Sequence, residues 1–221
     1  MTPTPLEALI GQINKVAETH FFLRPVLKKS LKETIISPEG QAEVGPYANY
    51  YDYWTGTLSD KFFDMATFMR LGSVLEFNLR NYYTLKKGYS SLLSLTTDPL
   101  LCDHSGRFDT GLFQRIVQAP TKTKGIGKVF DSIGVDLTDT GKFPDFIKLR
   151  ELMLHRHLYA HKSGLVDDEY MKKLKDNFNI DISADIASKG YPAQDVYYFE
   201  PLSKLNDFIE DSRKFFNSLP Y

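Results

Sequence analysis

Phe143-Pro-Asp-Phe-Ile-Lys-Leu-Arg150-Glu-Leu-Met-Leu-His155-Arg156-His157-Leu-Tyr-Ala-His161-Lys162 decides how this chain is read. Pro144 suits a first helical turn, and the glycine at 164 ends the run. At about 100° per residue, Phe146, Leu149, Met153 and Ala160 form one apolar stripe, widened by Leu152 and Tyr159. Ile147, Leu154 and Leu158 form a second strip, and Lys148, Glu151, His155 and Lys162 read as a solvated face. Between the apolar strips Arg150, His157 and His161 fall within roughly 40° of one another. Three of the five histidines of the chain lie in this one helix. Cationic and proton-transferring groups among apolar strips are costly to bury, so a function other than packing is expected of them.

Working outward, the remaining pattern is also helical. Leu6, Leu9, Ile10, Ile13 and Val16 have helical spacing within a run from Pro5 to Ile36, which Pro25 is expected to break into two short helices. Residues 37–46 read as a loop, and Tyr47–Trp54 is an aromatic cluster, a packing patch in one reading and a base-stacking platform in the other. The strongest helix is expected from Leu58 to about Lys87, capped by Thr57 or Ser59, with Phe62, Met65, Phe68, Met69, Val74, Leu75 and Leu79 as its apolar positions. Shorter helices are expected near Thr110–Gln118, Gly127–Ile133 and Asp167–Phe178, and a last one from Pro201 to Phe216. The alternating segments Asn179–Ser183 and Asp195–Phe199 are candidates for a small β-hairpin. The expected architecture is an all-α antiparallel helical bundle over residues 58–221, with residues 1–57 as an N-terminal helical extension and aromatic loop.

Composition narrows the function classes. A chain of 221 residues can bury a full core. The formal net charge of −1 announces no general polyanion binder, though a local cationic patch suffices to hold a few phosphates. The single cysteine, Cys102, excludes an internal disulfide and a cysteine-rich zinc site. No apolar run reaches the roughly 20 residues of a membrane span and no signal-peptide pattern opens the chain, so a soluble, cytoplasmic protein is expected. Lys124-Gly-Ile-Gly-Lys128 is too short for a phosphate-binding loop.

Arg156-His-x-x-x-His161, followed by Gly164-Leu-Val-Asp167 and Tyr170, resembles the Arg-x(4–6)-His signature of the HEPN superfamily, in particular its RiboL-PSP branch. Leu75-Glu76-Phe-Asn-Leu-Arg80-Asn-Tyr-Tyr83 is similar to the first long helix of that branch. The resemblance spans roughly residues 58–217. It implies a bundle that dimerises with the two motif helices facing each other. It further implies a metal-independent endoribonuclease of the toxin–antitoxin or phage-defence kind, without cofactor, with RNA as substrate and an antitoxin or regulator as a further partner. The rival implication is a member without activity that serves as a dimerisation module binding a protein or nucleotide. Carried over by position, Arg156 is the signature arginine, His161 the signature histidine, and His157 the polar residue after the arginine. Glu76 is the acidic partner, with Arg150 and Lys162 as additional substrate-binding candidates.

An ideal helix separates Arg156 and His161 by about 140°. The arginine must reach around, the helix must distort, or a partner helix must complete the site. His157 and His161 also have metal-ligand spacing, without an acidic residue at the metalloprotease position between them. A purely structural reading pairs Arg156 with Glu76.

Overall fold

The computed structural model describes residues 4–36, 59–90, 92–190 and 196–220. The aromatic cluster Tyr47–Trp54, the loop before it and the Thr57 cap lie outside the described residues. Eight helices occur among the described residues: α1 (Pro5–Ile36), α2 (Ser59–Lys86), α3 (Gly125–Asp131), α4 (Phe146–Lys162), α5 (Asp168–Phe178), α6 (Ser183–Ser188), α7 (Glu200–Ser203) and α8 (Leu205–Ser218). The fold is all-α, as expected, and no helix among the described residues is long and apolar enough to cross a membrane.

Side-chain contacts give the direction of each neighbour. Along α1 against α2, the Asn78 side chain reaches the Leu9 carbonyl, His20 meets Thr67, and Arg24 grips Asp64. Rising numbers on one helix meet falling numbers on the other, so the pair is antiparallel. The same test gives α4 antiparallel to α2, through Tyr159 on Phe68 and Arg156 on Gly72. It gives α4 antiparallel to α8, through His155 on Phe208 and Phe146 on Phe215. The Tyr82 hydroxyl donates to the Pro220 carbonyl while Phe68 meets Phe208, so α2 and α8 run the same way across the bundle. These four helices enclose the core as an antiparallel four-helix bundle.

α2 earns its central place through Met65, Phe68, Leu71, Leu75, Leu79 and Tyr82, a buried stripe at three- and four-residue steps. Phe68 is completely buried and meets Tyr159 and Phe208 edge-on at 5.4 Å in each case, the arrangement that ring quadrupoles favour. Leu9, Ile13, Val16 and Ala17 of α1 enter the same core. The N-terminal helix is therefore one wall of the bundle.

Four expectations need correction. Pro25 does not divide the N-terminal run, because α1 is continuous through it. The carbonyl that loses its partner belongs to Phe21, and both residues lie on an exposed turn where water can take the hydrogen bond. The Thr110–Gln118 segment forms only turns and a short 3₁₀ stretch at Arg115–Val117. The hairpin is not formed: Ser183 begins α6, and Tyr197 instead makes an isolated antiparallel bridge with Leu165. Asp195 lies outside the described residues. The last helix is split at Lys204 into α7 and α8.

Candidate functional site

α4 passes without interruption through Arg156, His157 and His161. It ends where Ser163 turns into the left-handed region at φ 52° and Gly164 follows at φ 92°. The Ser163 N–H donates back to the Leu158 carbonyl, and Asp167 accepts from the Tyr170 N–H to start α5. This double cap folds α5 back beside the last turn of α4. It sets Glu169 and Lys173, themselves ion-paired at 2.6 Å, within electrostatic reach of His157.

His157 and His161 are both exposed, and their ring centroids stand 4.5 Å apart. Partial burial is the main influence that lowers the His157 pKa from its ordinary value. His161, Lys173 and Arg156 act in the same direction, while Glu169 opposes them. A neutral imidazole beside a second imidazole is an arrangement suited to moving protons near neutral pH.

Arg156 points elsewhere, as the 140° offset requires. Its stem lies across α2 at Gly72, where an added Cβ would stand 2.8 Å from the arginine Cγ. Only a residue without a side chain lets the two helices hold this arginine between them. Its Nε is buried without a hydrogen-bond partner, and Arg156 has no ion pair among the described residues.

Glu76 is not brought to Arg156. It lies one helical turn beyond Gly72 and accepts from Arg80 Nη2 at 2.6 Å and Gln114 Nε2 at 3.4 Å. Arg150 is turned away as well. It is buried, donates through Nε and Nη2 to the Val117 carbonyl, and lies 5.4 Å over the Phe178 ring. These contacts make Arg150 a clip between α4, α5 and the loop before α3. Lys162 stays at the surface, 3.4 Å from Asp167.

Of the face expected to be solvated, Lys148 and Lys162 are exposed but Glu151 and His155 are not. Glu151 is 4% exposed and His155 is 2% exposed, because α8 and α5 cover that side of α4 with Phe208 and Tyr170. His155 Nδ1 lies 2.6 Å from the Tyr170 hydroxyl and its Nε2 lies 3.6 Å from Glu151. An ionised carboxylate can only accept, so Nε2 carries the ring proton and the tyrosine donates to Nδ1. Burial lowers the His155 pKa, with Glu151 pulling the other way. Burial would raise Glu151, but its contacts with His155 and Lys148 outweigh that and hold it well below the usual carboxylate range.

Among the described residues, no group of three His, Cys, Asp or Glu side chains is placed to hold a metal ion. Sequence reading missed Gly72, Glu169 and Lys173. Gly72 was visible as a glycine in the middle of the strongest helix, and Glu169 with Lys173 as an i,i+4 charge pair. No family model matches the chain, and neither a curated protein nor a solved structure matches it.

Proposed function

We propose that the chain is an endoribonuclease that needs no metal, with His157, His161 and Arg156 as its working groups. The observation that carries this reading is the exposed imidazole pair at 4.5 Å, on the same helix as the signature arginine, whose stem packs on Gly72 of α2. The resemblance of Arg156–Tyr170 to the HEPN motif supports the choice of RNA.

RNA brings its own nucleophile. A neutral imidazole, for which the lowered pKa of His157 suits it, takes the proton of the 2′-hydroxyl. The 2′-oxygen bonds to phosphorus, the bond to the 5′-oxygen breaks, and the second imidazole returns a proton to that leaving oxygen. Arg156 neutralises the non-bridging oxygens as charge accumulates there. The products are a 2′,3′-cyclic phosphate and a 5′-hydroxyl. Because the histidine pair is open to solvent, a second copy of α4 facing the first would wall the site and bring its arginine opposite the imidazoles. The homodimer belongs to the proposal for that reason.

The test is an oligonucleotide with one ribonucleotide among deoxyribonucleotides, incubated in EDTA. Cleavage only 3′ of the ribonucleotide, leaving a cyclic phosphate, is the expected result. Cleavage of the all-deoxy strand would contradict attack by the 2′-hydroxyl.

One observation favours a second reading, a binding module without activity. Glu76, the acidic partner implied by the resemblance, is occupied by Arg80 and Gln114. A dimer that binds RNA or a protein partner and cleaves nothing would establish that reading.

A further inference from the structure

A cleft of about 390 Å³ opens where the start of α4 meets the loop at 137–144 and the segment at 119–120. Leu137, Phe143, Phe146 and Ile147 line it with apolar side chains, and Arg150 stands on its wall. No acidic side chain is among the described residues that line it. The cleft shares no residue with the imidazole pair, and the proposed ribonuclease chemistry does not use Arg150.

Arg150 is 6% exposed and carries its charge into that burial. The Val117 carbonyl takes an N–H from Nε and one from Nη2, and the Phe178 ring covers the guanidinium. A carbonyl dipole and a ring compensate a buried cation only in part. Arg150 forms no ion pair among the described residues, and burial lowers its pKa with no carboxylate opposing it. Nη1 has no hydrogen-bond partner among the described residues, yet it is not sealed from solvent as the Nε atoms of Arg80 and Arg156 are. The Nη1–Nη2 edge is therefore left open. It is an edge that can grip a carboxylate through two parallel hydrogen bonds.

Charge and shape restrict the occupant. One guanidinium balances one negative charge, so a monocarboxylate matches it, whereas a phosphate dianion would stay half compensated among apolar walls. The partial positive charge at the start of α4 acts in the same direction. Phe143 and Phe146 pack on Phe215 with ring centroids at 6.2 and 5.3 Å, which fixes an aromatic wall. Ile147 lines the cleft and is 44% exposed, which puts it at the mouth, where an apolar body would cover it. The volume lies in the range of small-molecule sites, roughly 300–1,000 Å³.

We propose that this cleft binds a small monocarboxylic acid with an apolar body, an aryl- or branched alkyl-alkanoate, whose carboxylate accepts from Arg150. The apolar body lies against Phe143, Phe146 and Ile147. The site is independent of the ribonuclease reading and stands if that reading fails.

The experiment is calorimetric titration of the full chain with 3-phenylpropanoate and 4-methylpentanoate, with the neutral amide of each, acetate and inorganic phosphate as comparisons. It is paired with nuclear magnetic resonance of the Ile147 and Leu137 methyl groups. At least one of the two acids should bind about tenfold more tightly than its amide, acetate or phosphate, and shift both methyl signals. Ala119 lines the cleft and is exposed, so Ala119→Trp fills the space without entering the core, and should weaken that acid about tenfold. No binding of either acid at about 10 mM would overturn the proposal. So would an amide that binds as tightly as its acid, because the guanidinium would then play no part. Acetate or phosphate binding as tightly would remove the apolar body from the account, and affinity unchanged by Ala119→Trp would remove the cleft; either result overturns it. The comparison of acid with amide is made on the wild type, so it needs no variant at Arg150, whose loss would also break the contact with Val117.

Discussion

Gly72 fixes where Arg156 can lie, and that makes it the residue through which the arginine's role can be tested without touching its charge. A methyl group at 72 would stand 2.8 Å from Arg156 Cγ, so the stem must move. Alanine is also the better helix former, by about 1 kcal/mol in an exposed helix interior, and this offsets much of the crowding. Gly72→Ala should therefore melt within a few degrees of wild type while RNA cleavage falls about tenfold. Unchanged cleavage would mean that the position of Arg156 is immaterial. Glu76 gives the opposite expectation. Its contacts are with Arg80 and Gln114, so Glu76→Gln should cost roughly 1 kcal/mol in denaturant unfolding and leave cleavage intact. A loss of cleavage with stability unchanged would put Glu76 back in the chemistry. The three motif residues were legible in the sequence because their spacing on a helix is arithmetic. The partner of Arg156 was not, because only the packing of α2 on α4 selects Gly72 over Glu76.

At the scale of the element, α4 carries two polar sites on opposite terms. One face presents His157 and His161 to solvent, and another buries Glu151 and His155, which Tyr170 of α5 completes as a network. Helical periodicity put Glu151 and His155 on a solvated face because it reads polarity as exposure. The covering residues, Phe208 and Tyr170, come from helices whose position no local pattern discloses. Tyr170→Phe removes the donor to His155 Nδ1 and should lower stability by about 1–2 kcal/mol, measured by urea unfolding. His155→Ala leaves Glu151 with Lys148 as its remaining partner and opens a cavity under Phe208, so it should cost more, about 3 kcal/mol. If both variants unfold like wild type, the network contributes nothing to stability. Neither substitution should abolish RNA binding, since the network does not reach the open face. α1 shows a different limit of sequence reading. A proline marks a break only where the lost hydrogen bond cannot be replaced, and the Phe21 carbonyl faces solvent.

At the scale of the molecule, four antiparallel helices share one core, and the N-terminal helix is part of it. The all-α class and the helices α2, α4 and α5 were legible because each has its own stripe or cap. The closure of the bundle by α1 was not, because its apolar spacing does not say what it packs on. Removal of residues 1–57 should expose the faces of α2 and α8 that meet Leu9, Ile13, Val16 and Ala17, and abolish cooperative thermal unfolding. A truncated chain that melts cooperatively near the wild-type temperature would show that α1 is dispensable. The buried histidines also give the molecule a pH response. Burial lowers the pKa values of His20 and His155 in the folded chain, with Asp64 and Glu151 respectively opposing it. Below about pH 6.5 the unfolded chain binds more protons than the folded one, so stability falls as pH drops through that window. Glu151, whose contacts outweigh the effect of burial and hold it at about 2, adds a loss in the same direction as pH falls below its ordinary value of 4.5. The melting temperature should decline from pH 7 to pH 5, and a flat or rising profile would contradict the neutral, buried state of both rings. The central claim concerns the open face of α4, and single-stranded RNA incubated in EDTA with wild type, His161→Ala and Arg156→Ala tests it most directly. Cleavage by the wild type, lost in both folded variants, is the predicted result; cleavage that survives both substitutions, or none from a folded wild-type dimer, would contradict it.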